Sequence, residues 1–489
     1  MTKKLSLYFI LLSMLAACSE DSDFPGAIGS FDSNSGGNPA IIITSEQYNT
    51  IVENPFISVS EEAISTFSID ADGGAYGNMR RFLEQGQIPP SDAIRTEELI
   101  NYFNYNYAEP NTHDPISLEG EVSDCPWNKD HKLMRIGIKG EHMEKADYPA
   151  SNIVFLIDIS GSMSSTNKLP MLKEGIKLMV EELTPEDRIS IVTYASNPGT
   201  ALPPTAGDDK EAIIRAVDRL SSGGSTNGEG GIKTAYELAE ESFIPGGNNR
   251  IIMGTDGDFN VGISSEDELI ELIEEEREKG IFLTVIGLGQ GNLKEGRMEQ
   301  LADNGNGTYE YIDDLDQARK VFVEEYNKFF TVAKDVKVQV EFNPQFVSEY
   351  RLIGYENRVL ETEDFDDDQK DAGEIGAGQS ITALYELRTI ENAAHNISAF
   401  DIDFRYKQPD GDVSQLMNLR VLNSTNTFTE ATDRHQFAAA VASFGLLLRD
   451  SQYKGDATYE DVKKWAAESI SYDPFGYKRD FLDLVDLAR

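Results

Sequence analysis

The sequence predicts an α/β protein: a mostly parallel sheet with helices on both faces, flanked by an antiparallel β-sandwich-like region and by helical segments at both ends. Three observations predict it. From residue 152 onward, short apolar runs alternate with helix-length segments, beginning with the unbroken Ile153-Val154-Phe155-Leu156-Ile157. That alternation is the pattern of a buried parallel sheet. After residue 333 the apolar period becomes two, as in Val336-Lys337-Val338-Gln339-Val340-Glu341-Phe342, which is the period of a half-buried strand. Near the end, Phe437, Val441, Phe444 and Leu448 recur at helical spacing.

The elements follow in order. Residues 41–116 read as a cap of helical and extended pieces, with helices at 80–85 and 97–103 separated by Pro89-Pro90. Residues 117–148 read as strands joining the β domain, because Met134, Ile136 and Ile138 form one apolar face. Within a central domain at 149–333, strands are expected at 153–157, 189–194, 250–255, 281–288 and, as an edge strand, 307–312. Helices are expected at 169–183, 209–220, 230–242, 266–279, 298–303 and 315–330. Residues 334–425 read as a β-sandwich-like domain with strands at 336–342, 350–356, 380–388 and 398–407, spaced by turns such as Pro409-Asp410-Gly411. Residues 426–489 read as a helical region closing with helices at 459–467 and 479–488.

The N-terminus carries a processing signal. Lys3 and Lys4 precede a mostly apolar stretch at residues 5–15, shorter than the ~20 residues a spanning helix needs, and Leu15-Ala16-Ala17-Cys18 follows. This resembles the lipobox of bacterial lipoproteins. The resemblance implies a signal peptide at 1–17, lipidation of Cys18, and a lipid anchor at the membrane. Ser19 after the cysteine resembles outer-membrane sorting, and the acidic run Glu20 to Asp23 resembles surface-export tags, though it serves equally as a repelling tether. Residues 18–40, rich in Ser, Gly, Asp and Asn, read as flexible linker. The expected location is the outer membrane, surface-exposed or facing the periplasm.

Cys125 is then the only remaining cysteine, so a disulfide-built fold is excluded within one chain. It reads as a buried structural thiol. The chain has 85 Asp plus Glu against 43 Lys plus Arg, a formal charge of −42, which disfavours nucleic acid as a partner. The five histidines are scattered without zinc spacing. The acidic stretch 364–371 lacks the ligand spacing of a calcium hand and reads as a solvated loop. Asp70 and Asp72, followed by two glycines, could form a cation loop or a plain turn.

The informative motif is Asp158-Ile159-Ser160-Gly161-Ser162, after the first apolar strand and before a helix. In an open α/β sheet this is the crevice at the carboxyl ends of the strands, where ligands bind. A carboxylate and two hydroxyls on one tight loop are hard oxygen donors, suited to Mg²⁺, with Ca²⁺ or Mn²⁺ as alternatives. Two further loops, Gly223-Gly224-Ser225-Thr226-Asn227 and Thr255-Asp256-Gly257-Asp258, offer a hydroxyl and a second carboxylate. Together Asp158, Ser160, Ser162, Thr226 and Asp256 resemble the metal-ion-dependent adhesion site of von Willebrand factor type A (VWA) domains, which have a Rossmann-like fold. The resemblance implies a divalent ion with one open position for a carboxylate from a protein or other acidic ligand. Asp258 and Asn260 read as structural. Binding is expected rather than catalysis, since no general base or triad can be assigned. A structural or assembly role in an envelope complex is the alternative, and a metal-assisted hydrolase a third reading.

The likeness extends over residues 50–489. Asn54-Pro55-Phe56, Glu97-Glu98-Leu99-Ile100-Asn101-Tyr102-Phe103, Tyr350-Arg351-Leu352-Ile353-Gly354-Tyr355-Glu356 and Phe437-Ala438-Ala439-Ala440-Val441 resemble the bacterial YfbK-type lipoproteins. Gly73-Gly74 departs from the Thr-Ala expected there. The resemblance carries architecture, not a biochemical activity.

Overall fold

The computed structural model describes residues 46–69, 72–110, 114–196, 198–225, 228–257, 266–390 and 397–489. Cys18, Asp70, Thr226, Asp258 and Asn260 lie outside them, as do the signal peptide and tether. Residues 43–489 fold as one unit. No helix among the described residues is long and apolar enough to cross a membrane.

The central sheet has six strands, in the order Tyr309–Ile312, Ile281–Leu288, Asn248–Thr255, Ser151–Asp158, Arg188–Tyr194 and Gly199–Ala206. The first five are parallel, and the last runs antiparallel to its neighbour. Ser151–Asp158 is buried throughout, and its alternation divides the core. Ile153, Phe155 and Ile157 pack with Leu172, Ile176, Ile213 and Val217 on one face. Val154 and Leu156 pack with Ile232, Tyr236, Ile273 and Leu301 on the other. This is the expected two-faced parallel sheet. Gly199–Ala206 has no counterpart in the sequence reading. Its ALPPT stretch, in which Leu202 alone is buried, carries too few apolar residues to show a period of two, and an edge position is where Pro203 and Pro204 are tolerated in a sheet.

Two antiparallel sheets form the β region. One has the order Ile57–Ser58, Val347–Ile353, Ser380–Thr389, His131–Gly140, Ile116–Asp124. The other has the order Val359–Leu360, Ile64–Ser68, Thr331–Phe342, Ser398–Lys407, Gln415–Leu422. Their inner faces meet in one core, where Phe342 stacks on Tyr350 at 4.2 Å and packs edge-on against Tyr385. Strands that precede the central sheet in sequence therefore pair with strands that follow it. The segment read as a cap is interleaved as well, since Ile57–Ser58 and Ile64–Ser68 each join a different sheet. Short strands with few alternating residues gave no periodic signal of this.

Two helical expectations need correction. Residues 315–330 are not one α-helix: Leu315–Arg319 is α, Lys320–Glu324 is π and Tyr326–Phe329 is 3-10. The helix Asp433–Leu448 buries far more than one face, with Ala438, Ala439, Ala440, Ala442 and Ser443 enclosed together with Phe437 and Phe444. Small residues let neighbours approach from every side, so an apolar stripe underestimates burial. The acidic loop at 364–371 is tied by Asp364 to Lys370 at 3.2 Å and by Asp371 to Arg277 at 2.6 Å. Cys125 is buried, and burial raises its thiol pKa well above the usual value.

His435, fully buried, faces Ser123 Oγ at 2.9 Å through Nε2. Burial, with the nearby Arg135 charge, lowers its pKa to about 3 against the attraction of Glu121. The folded chain thus keeps it neutral while the unfolded chain protonates near 6.5. Its contribution is complete above pH 6.5 and is lost as pH falls toward 3. Replacing His435 by Gln is expected to flatten the stability–pH slope between pH 6 and 4 by up to one proton's worth, roughly 1 kcal/mol per pH unit. Denaturation of both chains across that range measures it, and equal slopes would exclude a role for His435.

Candidate functional site

The site is built on the carboxyl edge of the central sheet. Residue 157 pairs with Gly254 and Asp158 with Tyr194, so Asp158 ends the central strand and Asp256 follows the end of its neighbour. Both carboxylates thereby emerge at adjacent strand ends, and both are fully buried.

The loop after Asp158 folds onto that carboxylate. Asp158 Oδ1 accepts from the Ser160 amide at 2.8 Å, the local bond that favours Asp at such a turn. The 3-10 turn Gly161–Ser164 follows, with Met163 buried beneath it. Ser160 and Ser162 are brought together, their hydroxyls 2.9 Å apart. Two backbone bonds join this loop to the next: the Gly161 amide donates to Gly224 O at 3.1 Å, and the Gly223 amide to Ile159 O at 2.7 Å. Glycine is needed at position 224 of the second loop. Gly224 has φ +87°, and a Cβ there would lie 2.7 Å from Ser196 Oγ. The structure thus brings Asp158, Ser160, Ser162 and Asp256 to one edge and holds the 223–225 loop beside them; Thr226 lies outside the described residues.

Asp256 carries a partner the sequence reading missed. Lys168, 6% exposed, donates to Asp256 Oδ2 at 2.8 Å and to Asn292 Oδ1 at 3.0 Å. Burial by itself would raise the pKa of Asp256, but hydrogen bonds from Lys168 and Ser162 outweigh it and hold the carboxyl below its usual range. Nothing in the sequence marks Lys168, which lies ten residues beyond Asp158 and reaches Asp256 only through the fold. At Gly257, φ is +97° and a Cβ would sit 2.8 Å from the Lys294 nitrogen, so this turn after Asp256 requires glycine.

The donor set fits a hard divalent ion. Mg²⁺ bonds oxygen at about 2.0–2.1 Å in an octahedron, so adjacent ligands lie about 2.9 Å apart, the spacing of the two serine hydroxyls. Ser160 and Ser162 would supply neutral donors, and Asp158 and Asp256 the negative charge, with one Asp256 oxygen engaged by Lys168.

The comparisons agree with this architecture. The family described as von Willebrand factor type A domain matches residues 152–324, one described as von Willebrand factor matches 42–135, and one described as uncharacterized protein YfbK, C-terminal, matches 327–489. The chain is 40% identical over 467 residues to the uncharacterized protein YfbK of Escherichia coli, covering 90% of this chain and 81% of that protein. More distant similarity reaches the human collagen alpha-5(VI) chain, 28% identical over 38% of this chain and 7% of its own length. The human inter-alpha-trypsin inhibitor heavy chain H3 is 30% identical over 36% of this chain and 21% of its own.

Proposed function

The chain belongs to the YfbK family and carries its VWA domain, and on that premise we propose that it is a lipid-anchored envelope protein that binds a protein or another carboxylate-bearing ligand through a divalent ion, Mg²⁺ in the first instance, rather than turning over a substrate. The observation that carries the reading is the pair of serine hydroxyls 2.9 Å apart on the loop that Asp158 organises. A divalent ion held there supplies an electrophilic position for a carboxylate from the partner. Neutral serine donors leave more of the positive charge uncompensated than carboxylates would. Asp158 shapes the loop through the Ser160 amide, and Lys168 orients Asp256. The lipobox ending at Cys18 supports an anchor at the outer membrane.

The test is quantitative capture from the native envelope and medium, using the full chain as bait with Mg²⁺, with EDTA, and as Asp158→Ala with Mg²⁺. A protein enriched at least tenfold only by the wild type with metal is the expected result. A resident envelope protein would assign an assembly role, and a secreted or foreign one a capture role. The same proteins in all three arms would refute metal-dependent binding. In the same cells, Cys18→Ser is expected to leave the membrane fraction; retention there would refute the anchor.

A further inference from the structure

A second group of carboxylates lies where the N-terminal segment, the helix Glu295–Asn304 and the turn at 354–358 meet. Asp72, Glu98 and Glu299 are each at most 5% exposed, and an oxygen of each lies within 4.8 Å of the others. Each is fixed from a different element. Asp72 Oδ1 accepts from the Tyr309 amide and Glu98 Oε2 from the Ala75 amide, both at 2.7 Å. Glu299 accepts from Asn357 at 2.8 Å.

Two guanidinium groups face the cluster. Arg95 lies 3.0 Å from Glu299 and 3.5 Å from Glu98. Arg358 lies 2.8 Å from Asp303, 3.2 Å from Glu299 and 3.5 Å from Asp72. On the helix, Glu295, Glu299 and Asp303 recur at every fourth residue and so share one face. Asp72, Glu98, Glu295, Glu299 and Asp303 thus outnumber the two arginines in a buried space.

Glu295 is an independent pointer to a ligand. It is 1% exposed, and neither of its carboxylate oxygens has a hydrogen-bond partner among the described residues. It sits one helical turn before Glu299, and its charge acts on both Glu98 and Glu299. The buried Tyr309 hydroxyl, on the strand that bonds Asp72, is also unpartnered among the described residues. A bare buried carboxylate is costly, so it takes up a proton or a cation. Burial raises the pKa of Glu295 to about 8 and those of Asp72 and Glu98 well above the usual range, and a divalent cation in the cluster would offset the same cost.

We propose that Asp72, Glu98 and Glu299, assisted by Glu295, form a buried Ca²⁺ site that ties the N-terminal segment to the VWA domain. Ca²⁺ takes oxygens at about 2.3–2.6 Å in irregular shells, so opposite ligands lie about 4.6–5.2 Å apart, which accommodates this cluster. Arg95 hydrogen-bonds Glu299, and Arg358 hydrogen-bonds Glu299 and Asp72, as supporting groups do with the carboxylates around metals. The site shares no residue with the Asp158 loop and does not depend on the function proposed for that loop.

The experiment uses the full chain carrying Asp158→Ala, which leaves this cluster intact, stripped with EDTA and titrated with Ca²⁺ alone. One equivalent is expected to bind, with affinity lowered at least tenfold by Glu98→Gln or by Asp72→Asn. No binding at millimolar Ca²⁺ by a folded chain would overturn the proposal, as would unchanged affinity in either folded variant. Should both variants unfold, Tb³⁺ in the Asp158→Ala chain provides a second readout. Emission sensitised by tyrosine is expected to fall at least twofold in Tyr309→Phe, which keeps every carboxylate. Unchanged emission would place the ion elsewhere and overturn the assignment.

Discussion

Asp158→Ala is expected to lower Mg²⁺ affinity at the central loop at least a hundredfold while the rest of the chain stays folded. The strand that positions Asp158 owes its place to Ile153 through Ile157, all enclosed by the two cores of the central domain, and alanine leaves those contacts in place. What is lost is local. The Ser160 amide loses its acceptor at 2.8 Å, so the turn that sets the two hydroxyls 2.9 Å apart is no longer held, and one negative charge near the ion disappears. Isothermal titration with Mg²⁺, alongside circular dichroism, measures both halves of the expectation. An affinity within twofold of wild type would show that the ion, if bound, is held elsewhere.

Asp256→Ala is expected to act differently, by destabilising the metal-free chain. Its partner Lys168 is nearly enclosed and would be left with Asn292 alone among the described residues. Breaking a buried pair from one side costs about 3–5 kcal/mol, whereas replacing both partners by apolar groups is often close to neutral. The thermal midpoint should therefore fall in Asp256→Ala and recover largely in Asp256→Ala/Lys168→Met, both measured in EDTA. Mg²⁺ binding should stay weak in both. A double variant no more stable than the single one would mean that Lys168 contributes little buried charge, and that Asp256 acts through other contacts.

Much of the architecture is legible in the sequence. The alternation from 152 to 330 follows from a sheet buried on both faces, and the motif from Asp158 to Ser162 lies within one loop whose hydrogen bond spans two residues. Signals of that kind are local: a period, a turn, a short spacing. Elements without them were missed. The edge strand Gly199–Ala206 carries two prolines and little alternation, and the break in the helix after Arg319 leaves no mark in composition.

The sequence by itself determined the family, the two-faced sheet and the candidate Asp158 loop, because each depends on residues close together in the chain. Only the tertiary structure decided that Lys168 pairs with Asp256 and that Asp72, Glu98 and Glu299 meet in one buried cluster. It also decided the register in which His131–Gly140 joins Ser380–Thr389, a joining that the sequence led one to expect, and that Ile57–Ser58 and Ile64–Ser68 enter the two sheets. Those pairings are set by which distant side chains and strand edges satisfy one another once water is excluded, and no local pattern specifies the partner in advance.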